Sequence, residues 1–210
     1  MDESLRRTCY FSALSRLQRG LVHDVRSHLG SVALQFELVG EILAREGESA
    51  AGLRARLRPS LDRGKSALDR VRAEMERALG TLAAPGTRGL DLMEALHEIE
   101  GLVSSTSRER SVTWSLASGP NEAIELGTPD VAWEVLSIAA IESMFALPSG
   151  GRLDVTAAVE RPFASVVLTG AAAPPDPAWY QIASSALESI GGSMRSNPPR
   201  LELRLPMAGS

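Results

Sequence analysis

The sequence predicts an α+β chain: a long antiparallel helical hairpin followed by a sheet covered by helices. Three observations carry this. No proline interrupts Ser4 to about Arg45, apolar residues recur every three or four positions over two successive stretches, and beyond residues 83–89 that spacing gives way to short alternating runs.

In the first stretch Leu21, Val25, Leu29, Val32, Phe36, Val39 and Leu43 mark one face of a long helix. After EGESAAG a second stripe runs Leu53, Leu57, Leu61, Gly64, Leu68, Val71, Met75, Ala78 and Leu82, the a/d spacing of a helix packed in a bundle. Pro59 either kinks this helix or marks its true start. A hairpin of this length cannot bury both stripes, with Leu34 and Leu38 beside the first, by itself. Dimerisation into a four-helix bundle solves that problem. The segment AAPGTRG has the proline and glycines of a linker, so residues 1–84 and 90–210 are expected to be separate domains.

From Leu90 to Ser105 the pattern is helical, and Val112, Trp114 and Leu116 then alternate as one face of a strand. Thr128, Pro129 and Asp130 read as N-cap, first helical residue and first-turn acid of a helix that runs to Leu147 and stops at PSGG. Strands are expected at 152–159 and 163–169. A helix opening at Asp176 and Pro177 and ending at Gly191 follows, and SMRSN and RLELRLP close the chain around Pro198 and Pro199.

Composition narrows the function. Hydrophobic residues make up 44% of the 210 and charged residues 23%, which suits a folded chain more than a disordered one. The net charge of -4, with arginines interspersed among acids, gives no drive toward nucleic acid. Cys9 is the single cysteine, so no intramolecular disulfide or thiolate zinc cluster forms, and a cytoplasmic setting is expected. MDESLRRTCYF lacks an apolar core of signal-peptide length, and no uncharged run approaches the roughly 20 residues that span a bilayer, so no membrane association is expected.

Three histidines are present. At about 100° per residue His23 lies about 160° from the centre of the apolar stripe and faces water from a long helix. Neutral imidazole is a competent nucleophile near physiological pH, and an acceptor of a phosphoryl group must be reachable by a large donor. Arg19 and Arg26, four before and three after, share its face and suit a phosphoryl group or an acidic partner, while Gly20 leaves room for close approach. An exposed histidine with no role is the alternative reading. His28 falls nearer the stripe, at the bundle edge, and His97 falls in the pattern Met93, Leu96, Ile99, Leu102 and Val103, where a structural role is expected. The tryptophans Trp114, Trp133 and Trp179 are expected in the core or an interface, and Cys9 as a small packed apolar group.

The run His23, Asp24, Val25, Arg26, Ser27, His28, Leu29 resembles the H-box of histidine kinases. By that resemblance His23 is the phosphoacceptor, Asp24 the acid that assists proton transfer and Arg26 the usual basic residue. His28 stands where proline is common. GLDLMEALHEIEGLVSSTSRERSVTWSL and PDVAWEVLSIAAIESMFALPSGGRLDV resemble the opening and the N-box of the kinase ATP-binding domain, yet Ile138 and Glu142 replace its asparagines. Glu142 falls where the magnesium-linked asparagine belongs. Between strand FASVVLT and the next helix only GAAAPPD stands where the family has its adenine loop and lid. The resemblance therefore implies a degenerate ATPase-like α/β sandwich behind a dimeric hairpin.

What this implies is a histidine phosphotransferase of a two-component phosphorelay, shuttling a phosphoryl group between receiver aspartates through His23 without binding ATP. It carries no cofactor of its own, with Mg2+ supplied by the receiver. The implied partners are a second copy of the chain, response-regulator receiver domains and a hybrid histidine kinase. Arg19, Gly20, Ser27 and Leu34 would meet the receiver. A pseudokinase adaptor that does not use His23, and an atypical ATP-dependent kinase, are the alternatives.

Overall fold

A computed structural model describes residues 3–43, 50–82, 89–117, 119–120, 122–170 and 177–209; the side chains at 19–21, 50–51, 54, 74 and 76–82 lie outside that description. Helix α1 (Glu3–Leu43) and helix α2 (Ala50–Leu82) come first. Pro59 lies inside α2, so it does not mark that helix's start.

The chain packs as two units, one of Arg19–Gly80 and one of Met1–Gln18 with Thr81–Ser210. The division after Gly80 comes before the expected linker, of which residues 83–88 lie outside the described residues, and the start of α1 up to Gln18 groups with the α/β half instead of the hairpin.

Within the hairpin unit the apolar stripe of each helix divides in two. Val32 and Gln35 on α1, and Ser60, Gly64 and Ala67 on α2, are buried, with Val25, Val39, Leu53, Leu57 and Val71 half-buried along the same seams. A Cβ added at Gly64 would stand 3.7 Å from the Gln35 Cβ, so the two helices approach closely there. The remaining large apolar residues point outward: Val22, Leu29, Phe36 and Leu43 on α1, and Leu61, Leu68 and Met75 on α2, are exposed. Each set recurs every seventh residue, which is the spacing of a seam for a further helix.

The second unit contains a five-stranded sheet. Strands β2 (Thr113–Leu116), β4 (Arg152–Glu160), β5 (Phe163–Thr169), β6 (Ser193–Asn197) and β7 (Arg200–Pro206) lie in the order β2-β4-β5-β7-β6. Only β2 and β4 pair in parallel, with Trp114 opposite Leu153; the other pairs are antiparallel, Val166 facing Leu203 and Met194 facing Leu203 from the other side. Period-two alternation buries Leu153, Val155, Ala164, Val166, Leu168, Leu201, Leu203 and Leu205 on one face. Helices α3 (Leu92–Glu109), α4 (Pro129–Ala146) and α5 (Pro177–Ser189) supply the opposing layer through Leu96, Ile99, Ile138, Ile141 and Leu187.

Several local expectations are corrected. Leu90 and Asp91 form a short strand, β1, paired antiparallel with β3 (Glu125–Leu126), and α3 starts only after it. Asp91 caps α3, its Oδ1 accepting from the Met93 and Glu94 amides while Oδ2 accepts from Ile124 N. Thr128 is at the N-cap of α4 but sits in the left-handed region at φ 51°, and its side chain makes no capping bond. His97 is exposed, with Nδ1 2.7 Å from the Met93 carbonyl, so it does not belong to the buried stripe of α3. Asp176 lies outside the described residues, and α5 begins at Pro177.

Candidate functional site

His23 projects from the part of α1 that belongs to the hairpin unit, with 69% of its side chain exposed. The adjacent Asp24 turns inward, its side chain 18% exposed, and its Oδ1 lies 3.5 Å from His23 Nδ1. Helix geometry explains the contrast, since Asp24 and His28, four residues apart, lie on the half-buried seam toward α2 while His23 lies beside it. Nδ1 is thus the ring nitrogen beside the carboxylate, and Nε2 is the one it does not face.

Arg26 and Ser27 are exposed, one turn beyond His23, and Leu34 is exposed by 55%. Leu34 follows His23 by eleven residues, about 20° around the helix, so both lie on one face. Leu38 is less exposed, at 36%. The side chains of Arg19 and Gly20 lie outside the described residues. Gly30 was missed by the sequence reading: it is on the same face, one heptad after His23, and a Cβ there would meet nothing within 4 Å. Glycine in an exposed helix interior costs about 1 kcal/mol against alanine, and that penalty at this position was the available signal.

A second polar constellation belongs to the α/β unit. Along α4, Glu134 and Glu142 are both buried and each meets an arginine of α1: Arg6 Nη1 is 3.1 Å from Glu134 Oε2, and Arg16 Nη1 donates to Glu142 Oε2 at 2.5 Å. Between them Trp133 Nε1 donates to the buried Tyr10 hydroxyl at 3.0 Å. Burial pushes the Glu134 carboxyl above its ordinary value, opposed chiefly by Arg6 and then Arg7, and burial also pushes the Tyr10 phenol up. The Arg16 guanidinium lies over the Phe145 ring, 4.1 Å from its centroid.

No family model matches the chain, and no curated relative matches it either. Among solved structures, the catalytic domain of histidine kinase ThkA matches at 16% identity and a TM-score of 0.47, covering 57% of this chain and 95% of that one. A bacterial phosphotransferase matches at 18% identity and a TM-score of 0.44, covering 91% of this chain and 95% of that one. ThkA in complex with the response regulator TrrA matches at 13% and 0.46, covering 96% of this chain and 63% of that one. The chain resembles histidine-kinase cores.

The sequence resemblance described above sets Ile138 and Glu142 at the magnesium-nucleotide position. The residues present do not fit that group. Ile138 is fully buried and apolar, and the Glu142 carboxylate is engaged by Arg16. Among the described residues no group of three or more His, Cys, Asp or Glu side chains could hold a metal ion. Nor, among them, is any helix long and apolar enough to cross a membrane.

Proposed function

We propose that the protein is a histidine phosphotransferase of a two-component phosphorelay, carrying a phosphoryl group on His23 between receiver-domain aspartates without using ATP. The observation that carries this reading is the exposed His23 imidazole with the Asp24 carboxylate 3.5 Å from Nδ1, in the middle of a long helix. In the forward step the Nε2 lone pair forms a bond to phosphorus as the P–O bond of the aspartyl phosphate breaks, and the leaving electron pair returns to the receiver's carboxylate. Nδ1 keeps its proton, so the ring becomes a phosphoimidazolium whose positive charge Asp24 offsets. Both species are high in energy, and the step reverses without a nucleotide.

The chain's contribution is positioning. Arg26 supplies positive charge beside the transferring group, while Ser27, Leu34 and the Gly30 surface offer a docking face for a receiver helix, with Arg19 and Gly20 at its N-terminal end. The receiver supplies Mg2+. A hybrid histidine kinase carrying such a receiver would be an upstream donor.

The outward heptads support a homodimer as the working form. Leu29, Phe36 and Leu43 with Leu61, Leu68 and Met75 give each hairpin two apolar seams in addition to the one already closed by Val32, Gly64 and Ala67. A second copy turned antiparallel presents matching seams, which is the four-helix bundle solution.

The test is transfer from a panel of phosphorylated receivers without ATP, comparing wild type with His23→Ala. Acid-labile label on wild type alone supports the reading. Binding of a receiver with no label, and normal binding by His23→Ala, would instead favour an adaptor that does not use the histidine.

A further inference from the structure

Residues 3–18 of α1 run alongside α4 in the same direction, Arg6 reaching Glu134 and Arg16 reaching Glu142. The segment is part of the core of its unit and not an appendage: Tyr10, Ala13, Leu14 and Leu17 are all buried in the same apolar cluster as Trp133, Leu136 and Ile141. With α3 and α5, which also pack on α4, this segment contributes to the burial of α4 nearly all the way round, from Ala132 to Met144. It also gives partners to two acids, Glu134 and Glu142, that would otherwise be costly inside the fold.

We infer that residues 3–18 are a resident helical occupant of the α4 surface on which the kinase resemblance places magnesium-nucleotide, and that the α/β unit excludes nucleotide by holding this helix there. The inference deepens the ATP-free reading and rests on it for the assignment of Ile138 and Glu142 to that surface. To admit a nucleotide, the unit would have to break both ion pairs and the Tyr10–Trp133 hydrogen bond and expose Leu14 and Leu17. It would then present two carboxylates, Glu134 and Glu142, to a polyphosphate of like charge. Conversion of a metal-binding asparagine position to glutamate is thus matched by an arginine that consumes it. The α4 surface has changed occupant, from a ligand to a piece of the chain's own first helix.

Hydrogen exchange on the full chain, read by mass spectrometry with and without a large excess of magnesium and ADP, tests this. The expected result is slow exchange in 3–18, comparable with α4, unchanged by the nucleotide. Exchange in 3–18 as fast as in an isolated helix would overturn the inference, as would ADP speeding exchange there while slowing it in α4. Charge reversal gives a second reading: Arg16→Glu and Glu142→Arg should each speed exchange in 3–18 by tenfold or more, and the double swap should restore most of the protection. Equal protection in both single variants and wild type would also refute it. Neither measurement involves His23 or a receiver, so failure here is distinguishable from failure of phosphotransfer.

Discussion

Arg6→Met isolates the energetics of the helix docked on α4. Arg6 and Glu134 have side chains only 10% and 7% exposed, and their charges stand 3.1 Å apart. Removing one partner of a buried pair typically costs about 3–5 kcal/mol, because the other charge is left uncompensated. Two features place this pair at the lower end. Arg6 Nη1 and Glu134 Oε2 face each other at ion-pair distance without an aligned hydrogen bond, and Glu134 can escape the penalty by taking up a proton. About 3 kcal/mol in a chain of this size lowers the thermal midpoint by roughly 6–12 °C. The sign of the pH dependence follows from Glu134, whose carboxyl is raised by burial above its ordinary 4.5. A raised carboxyl contributes stability that is complete below the unfolded value and is lost as pH rises through the folded one. Deleting Arg6 raises it further, so the deficit of the variant is largest at neutral pH and shrinks as the pH falls into the acid range. Arg6→Met/Glu134→Leu removes both charges and should recover most of the loss. Thermal unfolding of the four proteins of this cycle at neutral and acid pH reads all of this. A midpoint within about 2 °C of wild type at neutral pH, or a deficit that neither acid nor the second substitution relieves, would refute the reasoning.

Other expectations follow from the same packing. Phe36→Glu or Leu68→Glu removes an apolar side chain from each of two protomers, about 3–5 kcal/mol in all, and should weaken dimerisation by roughly two to three and a half orders of magnitude in light scattering or sedimentation. Gly64→Ala adds a Cβ at ordinary contact distance from Gln35 and removes a helix-interior glycine, so it should stabilise the chain by about 0.5–1 kcal/mol in denaturant unfolding, whereas Gly64→Leu should overpack the same seam. Gly170→Ala should destabilise by roughly 2–4 kcal/mol in the same assay. Gly170 has φ +132°, and its added Cβ would lie 2.1 Å from the Arg152 carbonyl oxygen.

The elements that were legible in the sequence are those whose signal is local and repeated. Three- and four-residue spacing from Leu21 to Leu43, with no proline back to Ser4, announced α1, and the strands expected at 152–159, 163–169 and in RLELRLP lie close to the observed limits of β4, β5 and β7. His23 was legible for the same reason, since rotation about one helix axis suffices to set it off the apolar stripe. What the spacing could not convey is how one stripe is shared. Val25, Val32 and Val39 turn toward α2 while Leu29, Phe36 and Leu43 turn away, a division that depends on a partner helix and not on residue type. Strands β1 and β3 have two residues each and are paired across the chain, too short to leave a pattern. At Thr128 the usual cap residue was read correctly as a boundary, but its backbone is left-handed and its hydroxyl caps nothing.

The docking of residues 3–18 was hidden for a different reason. Arg16 and Glu142 are 126 residues apart, and Tyr10 and Trp133 are 123 apart. Glu142 was visible only as a departure from an expected asparagine, and its partner could not be named because either charge alone looks like an ordinary exposed residue. His97 stands in the spacing of Met93, Leu96 and Ile99, yet rotation about α3 carries it to the solvent side, where its ring meets the Met93 carbonyl.

Whether His23 carries the phosphoryl group is most directly decided by phosphorus NMR of the protein equilibrated with a phosphorylated receiver in the absence of ATP. The account predicts a phosphoimidazole resonance on Nε2, lost in His23→Ala and reversed by adding excess unphosphorylated receiver. A receiver that binds the protein and keeps its full aspartyl phosphate signal, with no phosphoimidazole appearing, would contradict it.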